Sequence, residues 1–230
     1  MKVPVPFFFR NIEKLLFVSA SSMTLVCFLT QLIGLKTGRW RLWGMADFFG
    51  LDVEKSLPTW FSSMLWFIVF VLTWKIPAHI RESKFFRWQW KILSGLFLVM
   101  SIDEVAGLHE KLGWFLGDHI HATGYLFFPF VIPGAILALV FFLAYLHFLA
   151  RLPKESALGM IASGALFVFA SIILEAVGAN WTYHHGGTES QKHGLTYFLL
   201  SDTEEYLEML ASILMFRTLY KYYEKVHSAD

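Results

Sequence analysis

The chain has 230 residues, of which 56% are hydrophobic and 18% aromatic, and its formal net charge is +1. A mean hydropathy of +0.53 is too apolar for a soluble domain of this size and points to an integral membrane protein, while the near-neutral charge argues against nucleic acid as a partner. The single cysteine, Cys27, excludes an internal disulfide framework and a zinc–thiolate cluster.

Six apolar stretches follow one another, each near the twenty residues that a hydrocarbon core requires. They run about Leu15–Leu35, Pro58–Ile76, Trp88–Leu112, Leu126–Leu149, Ala157–Ala179 and Leu195–Tyr220. The expected fold is therefore all-α, a single membrane domain built as a six-transmembrane-helix bundle. No small-residue cleavage site follows the first basic residues, so the first stretch reads as an uncleaved anchor. Counting Lys and Arg with the N-terminus inside places thirteen on inner segments and six on outer ones, out of nineteen. That excess predicts both termini on the cytoplasmic side.

The connections differ in character. Inner ones are short and basic. The first outer connection, residues 37–56, carries Trp40, Trp43, Phe48 and Phe49 and is expected to lie along the interface. It ends at Ser56, a natural helix cap, with Pro58 in the first turn after it. Within the fourth stretch, Pro133 is expected to kink the helix. Six of the nine histidines fall on the outer side: His109, His119, His121, His184, His185 and His193.

Acids placed inside apolar stretches carry the functional signal, because an intramembrane carboxylate costs roughly 2.5–3.5 kcal/mol at a helix centre and is retained for a reason. In the third stretch these are Asp103, Glu104 and Glu110, with His109 among them. The fifth carries Glu175, and the sixth Glu204, Glu205 and Glu208. With alternating directions, all three stretches place their acids in their outer halves. On continuous helices, Asp103 and Glu110 share one face, Ser171, Glu175, Gly178 and Thr182 a second, and Ser201, Glu205, Glu208 and Ser212 a third. Small residues beside the acids favour close helix approach. Glu54, just ahead of the second stretch, reads as an interfacial acid.

Crowded carboxyl groups need a cation, shared protons or basic partners, and Lys111 is the one base close to them in sequence. Carboxylates with histidine suit a divalent metal such as Zn, Mn or Fe. The expected ligands are Asp103, His109, Glu110, Glu175, Glu205 and Glu208, with Glu104 and Glu204 as catalytic acid–base or supporting groups. The Glu-x-x-His pairs of di-iron bundles are missing.

Three segments, Leu57-Pro58-Thr59-Trp60-Phe61-Ser62-Ser63, Ser101-Ile102-Asp103-Glu104 with His109-Glu110, and Glu204-Glu205 with Glu208-Met209, resemble a group of bacterial multi-pass membrane proteins with no assigned activity. The resemblance implies a bacterial inner-membrane setting. The function expected first is a metal-dependent membrane hydrolase or oxidoreductase acting on a lipid or lipid-linked substrate near the outer leaflet. The alternative is a proton- or cation-coupled transporter, and a third reading is an accessory subunit without catalysis.

Overall fold

A computed structural model describes residues 7–39, 44–117, 119–186 and 194–228, with side chains from residue 11 onward. His193, Asp118, Trp40 and Trp43 lie outside the described residues. Those described form helices and connections only, with no strand among them.

In chain order, α1 is Phe7–Thr37, α2 the short Met45–Phe49, α3 Leu57–Lys75, α4 Lys84–Ala106, α5 Leu108–Gly117, α6 Val131–Arg151, α7 Lys154–Val168, α8 Glu175–His184 and α9 Leu195–His227. A π-helical segment, Phe169–Leu174, joins α7 to α8 without a break in the rod. Short 3₁₀ turns at Ile76–Ala78 and Gly124–Leu126 lead out of α3 and towards α6.

Local chemistry explains the boundaries. The Ser56 hydroxyl accepts from the Thr59 amide at 3.2 Å and Pro58 sits in the first turn of α3, as the sequence suggested. Ser83 caps α4 through the Phe86 amide at 3.3 Å. The expected kink at Pro133 does not form. α6 starts at Val131, so Pro133 falls in the first turn, where its missing N–H has no helical acceptor to lose.

The third stretch departs most from expectation. It is two helices, α4 and α5, bent by 69°. Gly107 ends α4 in the left-handed region at φ 54°, and its amide donates to the Asp103 carbonyl at 2.7 Å. That is a C-terminal helix cap, and glycine takes it without a Cβ penalty. The common face drawn for Asp103 and Glu110 on one continuous helix is therefore wrong.

Four helical spans are long and apolar enough to cross a membrane: Asn11–Thr37, Leu57–Ala78, Val131–Arg151 and Lys154–His184. The bent α4–α5 pair raises the number to five. The sixth expected span, α9, is the longest helix at 33 residues but is not apolar enough to join them. It is the central rod, packed against α1, α3, α7 and α8. A helix surrounded by protein can carry polar side chains that lipid-facing neighbours cannot.

Cross-helix pairs give the directions. Glu13–Arg217, Ser21–Tyr206 and Gln31–Asp202 run α1 antiparallel to α9. Ser63–Ser101 and Ser94–Phe70 do so for α3 and α4, and Gly159–Thr218 with Ser163–Ala211 for α7 and α9. The α1 start and the α9 end thus share one end of the bundle. That end is filled by aromatics: Trp90 stacks on Tyr222 at 5.2 Å and meets Phe148 edge-on at 4.9 Å, while Phe148 stacks on Phe86 at 5.0 Å. The acids occupy the opposite end.

Candidate functional site

The far end is assembled from the end of α4, α5, the loop 50–56, α8 and the first half of α9. Asp103 lies in the last turn of α4, and its carboxylate accepts the His109 amide at 2.9 Å and the His109 ring Nδ1–H at 2.8 Å. The acid therefore caps the exposed start of α5 and clamps the imidazole beside it. With Nδ1 held, Nε2 of His109 is the nitrogen left for other chemistry. The His109 side chain is 44% exposed and that of Asp103 29%, so this pair stands at the mouth of the site. Phe130 packs against the imidazole with ring centroids 5.0 Å apart.

At the mouth and below it, carboxyl groups meet one another. Glu175, the first residue after the π-helical segment, is in hydrogen-bond contact with Glu204 of α9. The extra residue per turn in Phe169–Leu174 shifts the register of α8 relative to α7, and such bulges cluster at functional positions. Glu110 of α5 is in hydrogen-bond contact with Glu54, and a Cβ at Gly107 would meet Glu54 Oε1. Gly107 thus meets two demands, a positive φ and the close approach of a carboxylate. Each acid–acid contact needs a proton on one partner, since two carboxylates offer only acceptors.

Deeper still, Glu205 and Glu208 are electrostatic neighbours of Glu104 and Glu175. Glu104 accepts a hydrogen bond from Trp66 of α3, whose ring is locked by Phe97 at 5.7 Å and Phe167 at 5.3 Å. All eight candidate residues, Asp103, Glu104, His109, Glu110, Glu175, Glu204, Glu205 and Glu208, therefore stand in one neighbourhood joined by pairwise contacts and fields. They do not close into a cage. Among the described residues, no three His, Cys, Asp or Glu side chains are arranged to hold a metal ion.

The other outer histidines among the described residues stand apart from it. The His119 ring nitrogen donates to the Phe115 carbonyl at 2.7 Å and that of His185 to the Trp181 carbonyl at 2.8 Å, each within its own turn. His121 and His184 are exposed.

Several members were not singled out from the sequence. Glu54 was set aside as interfacial, yet it touches Gly107 and Glu110. Asp52 accepts from the Tyr197 hydroxyl at 2.9 Å, tying the loop to α9. Asp202, only 5% exposed, accepts from Gln31 Nε2 at 3.1 Å and faces the Cys27 thiol at 3.6 Å. Its Oδ2 and the Gln31 Oε1 are buried with no hydrogen-bond partner among the described residues. A polar residue at the start of α9 gave a signal for Asp202; nothing in the sequence paired it with Gln31 and Cys27, which are 171 and 175 positions away.

No curated protein and no solved structure matches this chain. A family model does, over residues 17–221, a range that holds every candidate residue. By that match the chain belongs to the family described as a domain of unknown function, DUF8692.

Proposed function

We propose that this chain is a multi-pass protein of a bacterial inner membrane, with six crossings and cytoplasmic termini, whose acid cluster takes up and passes protons as the coupling element of a cation or small-solute transporter. The observation that carries this reading is the pair of carboxyl–carboxyl contacts, Glu175 with Glu204 and Glu54 with Glu110, made between separate elements. Each holds a proton that a small movement of α5 or α8 would release. Intramembrane acids that face one another inside a bundle are the usual parts of proton relays. Glu54 and Glu110 at the mouth, Glu175 and Glu204 below, and Glu205, Glu208 and Glu104 deeper provide successive carriers.

The test uses the purified chain in sealed vesicles with an internal pH dye. An imposed pH gradient should drive proton entry that Glu175→Gln and Glu204→Gln each reduce at least tenfold. Amides keep the hydrogen bond but cannot release the proton. Infrared difference spectra should lose one protonated-carboxyl band in each variant. Unchanged flux and unchanged spectra in both would sink the relay.

The crossings are tested by cysteine labelling in a Cys27→Ser background. A membrane-impermeant maleimide should react from outside with Tyr125→Cys, and with Lys154→Cys only after permeabilisation. The reverse pattern would overturn the orientation.

A second reading, a metal-dependent enzyme acting on a lipid, is favoured by the Asp103–His109 pair. A carboxylate on Nδ1 is the partner that metal-ligating histidines commonly have, and it leaves Nε2 for a divalent Zn, Mn or Fe ion. Glu110 and Glu175 are electrostatic neighbours of that ring. Elemental analysis separates the readings: metal at one ion per chain, lost in His109→Ala and Glu208→Ala, supports the enzyme, and metal-free protein with proton flux supports the relay.

A further inference from the structure

At the end of the bundle opposite the acids, a groove of about 480 Å³ opens between α3 and α4, lined by Trp74, Lys84, Arg87, Trp88, Lys91 and Ile92. Lys84 to Asp103 spans about 28 Å along α4 and Lys91 to Asp103 about 18 Å, so the groove is remote from the carboxyl cluster. Its walls are apolar. Trp74, Trp88 and Ile92 are 50%, 66% and 56% exposed. Its rim is cationic, because Lys84, Arg87 and Lys91 fall at i, i+3 and i+7 and so share one helical face. The Lys91 ammonium stands 3.6 Å from the centre of the Trp74 ring.

These three cations differ from the two arginines that are ion-paired across helices. Arg151 is paired with Glu82 at 2.8 Å and Arg217 with Glu13 at 3.0 Å. None of Lys84, Arg87 and Lys91 forms an ion pair among the described residues. Three unneutralised charges around an apolar trough call for a ligand with an anionic head and an apolar tail. A free phosphate would leave the tryptophans unused, and an uncharged acyl chain would leave the cations unused.

We propose that this groove is a binding site for an anionic phospholipid, its phosphate held by Lys84, Arg87 and Lys91 and its acyl chain laid along Trp74, Trp88 and Ile92. Both halves of the ligand are needed. The cations supply lipid-headgroup attraction of the kind basic segments show at membrane surfaces, and the tryptophans sit where interfacial rings belong. The site stands independently of the proton relay, since it shares no residue with it.

The full-length protein in mild detergent is titrated with phosphatidylglycerol or phosphatidylcholine of identical acyl chains, and bound lipid is read by native mass spectrometry. The expected result is at least fivefold greater retention of phosphatidylglycerol and a higher melting temperature with that lipid alone. Lys84→Gln/Arg87→Gln/Lys91→Gln should bring retention down to the phosphatidylcholine level, and Trp88→Ala should weaken it. Lys221→Gln/Lys225→Gln, a control elsewhere on the same end, should leave it unchanged. If the triple variant fails to fold, Arg87→Gln alone should still lower the preference at least twofold. Equal retention of the two lipids, an equal loss in the control, or the same melting shift from inorganic phosphate would each overturn the proposal.

Discussion

At the scale of single residues, Gly107 decides how the third stretch enters the site. Its φ of 54° strains any L side chain, and an added Cβ would push aside the carboxylate of Glu54. Gly107→Ala should cost about 1–2 kcal/mol from the backbone alone, with displacement of Glu54 added to it. The measurement is the midpoint of thermal unfolding in detergent, and an unchanged midpoint would refute the close approach. Asp103 is a second such residue. Asp103→Ala removes the acceptor of the His109 amide and ring, so α5 should lose about 1 kcal/mol of capping. The freed imidazole should react faster with diethylpyrocarbonate. Asp103→Asn, which keeps an acceptor oxygen, should lie between the two.

At the scale of elements, α9 holds the bundle together although it is not among the apolar spans. Its neighbours approach closely where side chains are small. A Cβ at Gly159 would meet Thr218 Oγ1 at 2.5 Å, whereas one at Gly164 would meet nothing within 4 Å. Gly159→Val should therefore cost about 1–3 kcal/mol by overpacking. Gly164→Ala should be neutral or slightly stabilising through helix propensity. Nearby, Ser163 donates to the Ala211 carbonyl at 2.7 Å in a buried position. Ser163→Ala should cost only about 0.6 kcal/mol, the usual worth of an interhelical hydrogen bond in a membrane. Unfolding midpoints of the three variants test the order: steric fit outweighs the hydrogen bond at this crossing. A larger loss in Ser163→Ala than in Gly159→Val would reverse it.

For the whole molecule, the division into two ends is the organising fact. One end has an aromatic core, built on fully buried Trp90, and the other gathers carboxyl groups around α9. Trp90 and Asp103 are about 20 Å apart along α4. Trp90→Ala should cost about 3–5 kcal/mol of packing. Combined with Glu204→Gln, its effect on stability should be additive within about 0.5 kcal/mol, because sites this far apart share no partners. Strong coupling in that double-mutant cycle would mean that the two ends move together. On the proposed relay, a stiff aromatic end would hold the helices while groups at the other end gain and lose protons.

Much of this organisation was legible from local patterns. Helix-length apolar runs announced helices long and apolar enough to cross a membrane, because a bilayer imposes one length scale on any chain that spans it. The acids stood out for the same reason, since Glu175, Glu204, Glu205 and Glu208 interrupt runs that lipid would keep apolar. Ser56 and Pro58 marked a helix start through the needs of four unpaired amides. The third dimension decided the rest. A glycine inside an apolar run is compatible with a continuous helix, and only the arrival of the Glu54 side chain and the Asp103 clamp on His109 made Gly107 the place to turn. Pro133 became a starter rather than a kink because the helix began two residues earlier. Glu175 and Glu204 carry no sequence sign of partnership, since contacts between distant helices depend on crossing angle and register. Residue chemistry told which groups would be costly to bury; packing alone determined which of them share that cost.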